Sequence, residues 1–384
     1  MYLKKYISFI LPFYIVLIYY GFGFGSIGDW LLIFFSLISF RGELLKLKPL
    51  TFLVFFIILY DLYILIHNNF YVEQSFFNRE IFTIVKLICI LIISSKIDFI
   101  IFKKSIYLIS IIASLGVIYH AILIFNGQLV NTISFYAFET SRFSEVADRP
   151  LSIFPEPAAI VSFLIIPLYL LMNQGKLFYS ILLSIIILLS TSSTGVLYLA
   201  VMWSYTLYRS NYSKLIKLST IFFLYIVVVQ YNNNDIFKLS SQKLTKEITK
   251  INSQDSFEGN IRVNSGPLLF STLNITQLLF GLRSSSIDDY VNNSKDSSLA
   301  FLKLEKSVFL PSFWLMWASY GIVGLVLYMR IYFSFYKKNK NLAPLMLVLF
   351  VGMFIQKIAI GPVYIFYIIF LINETNYNNS KVNQ

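Results

Sequence analysis

Apolar blocks of about 15–25 residues, separated by short polar or basic stretches, run through most of the chain. The blocks do not alternate apolar with polar residues, as the strands of a membrane barrel would, so each reads as a helix. Their length matches the hydrocarbon thickness of a bilayer. Inside lipid a helix satisfies its backbone amides within its own segment. The pattern predicts spans over residues 6–24, 27–40, 49–67, 81–95, 105–125, 158–174, 177–192, 194–208, 215–231, 308–329, 342–356 and 360–372. The second is short enough to be re-entrant, and the last two can join as one bent helix. The expected fold is an all-α polytopic integral membrane protein of about 12 transmembrane helices, with 10–12 as the range.

Two polar excursions divide the chain. Residues 1–125 hold the first five helices, 126–157 a first long outside loop and 158–231 helices six to nine. Residues 232–307 form a large outside loop, 308–372 the C-terminal helices and 373–384 an Asn-rich cytoplasmic tail expected to be disordered. Within the large loop, Phe237, Leu244, Ile248 and Ile251 recur at helical spacing, with Lys243, Lys246, Glu247 and Lys250 between them. Such a helix lies on the membrane surface or packs against the rest of the loop.

Composition agrees. The chain is 57% hydrophobic and 13% charged, whereas soluble domains carry about 25% charged residues. The net charge of +12 raises nucleic-acid binding, but no basic aromatic face supports it. The Lys and Arg residues concentrate instead in alternate short loops. Lys4 and Lys5, Lys103 and Lys104, Lys176, Arg209, and Lys337, Lys338 and Lys340 all fall inside if the N-terminus is cytoplasmic. Cys89 is the single cysteine, so no intrachain disulfide forms. The first apolar run lacks a small-residue cleavage site and reads as a retained helix.

The candidate chemistry is sparse. Gly23-Phe-Gly-Ser-Ile-Gly28 matches a dinucleotide-binding spacing, but it follows an apolar helix rather than a strand and reads as a turn. His67 and His120 lie in or at the ends of apolar spans, away from any cysteine or carboxylate cluster, and read as structural. Asp61, Lys86 and Lys357 are charges inside or near the ends of spans. They serve a proton relay or transport path, or the lysines snorkel.

The most informative stretch is Arg149-Pro-Leu-Ser-Ile-Phe-Pro-Glu-Pro157, leading into helix six. Pro157 suits a first helical position, and Glu156 then sits at the positive end of the helix dipole. Two readings stand: a working carboxylate with an arginine in reach, or a helix-start pair for structure alone. Ser193 and Thr194, in the turn Ser190-Thr-Ser-Ser-Thr-Gly195, either cap the next helix or bond to a sugar or phosphate. Arg262 and Arg283 in the large loop are candidates for a lipid-linked diphosphate, because guanidinium forks match phosphate oxygens. Solvated loop charge is the alternative.

The R-x-x-S-x-F-x-E-P pattern of residues 149–157 resembles a signature of bacterial O-antigen polymerases of the Wzy type and related polysaccharide polymerases. The S-x-S-x-T-G turn is similar to one in that family. So are the large loop opening on Gly259-Asn-Ile-Arg262 and closing on Leu278-Leu-Phe-Gly281, and a helix carrying Gly321 and Gly324. These features follow in order from about residue 149 to 330. Two departures exist: Ser152 stands where the family pattern has a glycine, and no aromatic-rich stretch follows Arg262.

The resemblance implies a GT-C-like membrane glycosyltransferase without cofactor or metal. It would polymerise undecaprenyl-diphosphate-linked oligosaccharide repeats on the periplasmic face of the bacterial inner membrane. Arg149 and Glu156 would be catalytic; Arg142, Arg262, Arg283, Ser193 and Thr194 would bind diphosphate or glycan. Glu156 either takes the acceptor's proton or orients an arginine, and the second is favoured because a carboxylate beside arginines is a poor base. Implied partners are the lipid-linked donor and acceptor, membrane lipid, a chain-length regulator and a flippase. An O-antigen ligase and a polysaccharide flippase or transporter are the alternatives. The ligase family carries a histidine in its large outside loop, and residues 232–307 contain none.

Overall fold

The computed structural model describes residues 2–22, 25–40, 48–67, 74–130, 149–209, 261–282, 286–294, 299, 310–356 and 361–382. The expected span 215–231, the amphipathic stretch 237–251 and Lys357 lie outside the described residues.

The described chain is overwhelmingly helical. α1 (Tyr2–Ile10) passes through a 3-10 turn at Leu11–Phe13 into α2 (Tyr14–Leu17), so the first apolar block is jointed. Pro12, which has no N–H for an intrahelical bond, sits at the joint. At the glycine-rich stretch, Gly21–Phe22 pairs antiparallel with Gly25–Ser26. Ser26 then caps α3 (Ile27–Ser39). Its Oγ accepts the Asp29 N–H at 2.9 Å, and the Asp29 carboxylate accepts the Ser26 N–H at 3.4 Å.

α4 (Lys48–His67), α5 (Gln74–Ile93) and α6 (Phe99–Phe125) follow. Next come α7 (Pro157–Asn173), α8 (Leu177–Leu189) and α9 (Ser193–Arg209). α10 (Ile261–Thr272), α11 (Ile275–Phe280) and α12 (Ile287–Asn293) lie within the large loop. α13 (Ser312–Lys338), α14 (Ala343–Ile355) and α15 (Pro362–Val382) complete the chain.

α7 and α15 form the centre. Tyr364 through Ile372 are buried without a break, as are Ala159 through Leu170. A helix buried on every side belongs to a core rather than a surface. The two are tied where the Tyr367 hydroxyl donates to the Ser162 carbonyl at 2.5 Å. α6 and α13 are long and apolar enough to cross a membrane. α6 turns Ile111, Leu115, Ile118 and Ile122 outward along one face, with Leu115 62% exposed. An uncovered apolar face of this kind suits a lipid surround.

The last two expected spans are separate helices: α14 ends at Ile355 and α15 starts at Pro362. One expectation is corrected. The Asn-rich C-terminus is not disordered through Val382, because it continues α15. Asn373, Glu374 and Thr375 are buried, the Tyr377 ring lies 5.5 Å from that of Phe99, and Lys103 sits 4.4 Å from the Tyr377 ring centroid. Tertiary contact with α6 orders a polar composition that would not hold a helix alone.

Hydrogen bonds between elements sort the helix ends. At one end Gln174 of α7 donates to Tyr107 of α6, and Arg209 of α9 donates to the Lys340 carbonyl beside Lys337 and Lys338. The opposite end brings together the starts of α7, α9 and α13 and the end of α14. The Tyr198 hydroxyl donates to Gln356 Oε1 at 2.9 Å, and the Gln356 carbonyl accepts from Ser312 N–H and Oγ at 2.9 and 2.6 Å.

Candidate functional site

The segment preceding α7 is built as its prolines suggest. Pro157 is the first helical residue, and Glu156 is the N-cap with extended backbone (φ −152°, ψ 152°). A residue before proline is steered to this region. The Glu156 side chain makes no capping bond and is exposed, so its carboxylate lies at the positive end of α7. The Tyr19 hydroxyl lies within charge range of it. Phe154 is fully buried, stacked 5.7 Å from Phe163 and edge-on to Tyr19 at 6.1 Å. That ring anchors the segment, while Arg149, half-buried, lies at its far end.

Between these anchors the backbone is held from α6. His120 Nδ1 accepts the N–H groups of Leu151 at 3.2 Å and Ser152 at 3.1 Å, and Ser152 Oγ donates to the Ala113 carbonyl at 2.8 Å. Ser152 adopts φ +55°, the left-handed region that suits glycine. His120 is structural, as its setting suggested, and it fastens the very stretch that carries Arg149 and Glu156.

The Ser/Thr turn lies at the same end. α9 starts at Ser193, so Ser192 precedes the helix and its carbonyl accepts the Gly195 and Val196 N–H groups at 3.0 and 3.3 Å. Thr194 is buried and Ser193 half-buried. Gly195 lets α9 approach α7 closely: a Cβ there would lie 3.0 Å from Val161 Cγ2.

Of the loop arginines, Arg262 has its backbone in α10 while its side chain is outside the described residues, and Arg142 and Arg283 lie outside them altogether. Leu282, just before Arg283, is fixed: its N–H donates to the Ala318 carbonyl at 2.6 Å. The Trp317 indole N–H donates to the Leu278 carbonyl at 3.0 Å. α13 breaks here at Gly321 (φ +65°, ψ −171°), against Gly281 (φ +85°). A Cβ on Gly321 would overlap the Leu279 carbonyl, and one on Gly281 would meet the Ser319 carbonyl 2.5 Å away. The L-F-G close and the Gly-x-x-Gly helix are thus two halves of one contact. Leu269, Ile287, Val291, Leu299, Leu310 and Ala318 form a second small core beside it.

Lys86 does not snorkel: its Nζ lies 3.5 Å from Oδ1 of the buried Asp29 and 5.2 Å from the Phe82 ring centroid, with its own side chain half-buried, an ion pair that neighbouring residues do not announce. The chain matches no protein-family model and no curated protein.

Proposed function

We propose that this protein is a polytopic inner-membrane glycosyltransferase of about twelve spans and GT-C-like architecture. It elongates undecaprenyl-diphosphate-linked oligosaccharide repeats on the extracytoplasmic face. The observation that carries the reading is the exposed Glu156 carboxylate at the start of a core helix, on a pinned segment that also bears Arg149. Transfer of a glycan from a lipid diphosphate needs positive charge where the diphosphate leaves. Arginines and a helix N-terminus supply it without a metal. Arg149, with Arg142, Arg262 and Arg283 from the outside loops, holds the diphosphate. Glu156 orients an arginine or receives the acceptor hydroxyl's proton. Ser193 and Thr194 border the glycan. The order of motifs from residue 149 to 330 and the clustering of basic residues at the opposite helix ends support the same reading.

Arg149→Ala and Glu156→Gln, expressed in the native host without the chromosomal copy, test it. Removing one preorganised donor costs about 100-fold or more in rate, so long-chain surface glycan disappears while the variants still insert. Normal glycan ladders in both variants would remove these residues from any active site.

A further inference from the structure

Three features of α6 meet the backbone between Arg149 and Glu156. His120 is buried and its Nδ1 lies 3.2 and 3.1 Å from the Leu151 and Ser152 nitrogens. A ring nitrogen accepting two N–H groups carries a lone pair, so this imidazole is neutral, with its proton on Nε2. The Ala113 carbonyl takes the Ser152 hydroxyl at 2.8 Å. Gly116 leaves the room: a Cβ there would overlap Ser152 Oγ and lie 2.9 Å from Ser152 Cβ. Positions 113, 116 and 120 share one helix face by their spacing of three and four.

The left-handed backbone of Ser152 is strained for a residue with a side chain, and such strain persists only where the surroundings dictate it. Here the two successive amides form a small concavity, the kind of backbone nest that elsewhere holds an anion, and the histidine lone pair fills it. From this we propose that His120 is a positioning residue: its Nδ1 lone pair sets the backbone at Leu151 and Ser152 and thereby places Arg149 and Glu156 at the mouth of α7. The effect on elongation rests on the proposed glycan-transfer reading; the clamp itself does not.

Hydrogen exchange and elongation, measured on the full chain in lipid nanodiscs, separate the two. In the wild type the Leu151 and Ser152 amides exchange slowly. His120→Ala speeds them by about tenfold or more, the worth of one lost buried hydrogen bond, and glycan elongation falls with them. His120→Asn puts Oδ1 close to the place of Nδ1 and restores both slow exchange and elongation. His120→Gln carries its acceptor further out and restores neither. Fast exchange of both amides in the wild type would overturn the clamp without any variant having to fold. Equal rescue by Asn and Gln, or full elongation by His120→Ala despite fast exchange, would overturn the positioning role. Full elongation by Arg149→Ala and Glu156→Gln, with the exchange results as expected, would instead sink the glycan-transfer reading and leave the clamp standing.

Discussion

Replacing Gly321 with alanine should be among the most damaging small changes in the chain. The native φ of +65° with ψ −171° is a conformation essentially reserved for glycine. Forcing a side chain into it costs about 1–3 kcal/mol. The new methyl would also overlap the Leu279 carbonyl, a backbone group that cannot rotate aside, with Phe280 N 2.7 Å away. Overpacking adds about 1–3 kcal/mol, giving a total of about 2–6 kcal/mol against a typical stability of about 5–15 kcal/mol. Trp314 and Trp317 report on this arm of α13, because both rings pack on Phe270, at 5.0 and 4.7 Å. Thermal unfolding of the purified protein followed by tryptophan fluorescence should therefore show Gly321→Ala melting well below wild type. Val326→Ala, at an outward position of the same helix, should stay within about 0.5 kcal/mol. Gly281→Ala should behave like Gly321→Ala, and the double variant should lose less than the sum, since both act at one contact. A wild-type melting curve for Gly321→Ala would refute the interlock of the two glycines.

Other consequences follow from named contacts. Lys86→Met leaves the Asp29 carboxylate buried without its cation and should lower stability by about 3–5 kcal/mol; the Asp29→Asn/Lys86→Met double variant should recover part of that loss in the same melting assay. Tyr367→Phe removes the bond between the two core helices and should cost about 1 kcal/mol, with no effect on elongation. Gly116→Ala should lower both stability, by about 1–3 kcal/mol, and glycan elongation, because the methyl displaces Ser152; a variant with normal melting and normal ladders would show that the segment moves freely there.

Much of the fold was legible because apolar blocks and proline or glycine punctuation are local signals. The start of α7 at Pro157, and the exposed carboxylate at Glu156, needed only neighbouring residues to foresee. What escaped depends on partners distant in sequence. Nothing near Ser152 announces a histidine 32 residues earlier as its acceptor. The pairing of Asp29 with Lys86 needs α3 and α5 side by side. The polar run after Ile372 reads as solvent-exposed until α6 covers it. Gly281 and Gly321 each signal unusual backbone, but only the fold shows that the two places touch. The arginines of the outside loops were picked for their chemistry, and their convergence is the part of the proposal that function must test.

Incubation of the purified protein with a single preparation of undecaprenyl-diphosphate-linked repeat bears most directly on that proposal. A ladder of products, each one repeat longer than the last, formed by wild type and absent with Arg149→Ala, is the result expected. Folded, correctly inserted protein that leaves the repeat unextended, or moves it only onto a lipid A core, would contradict the account.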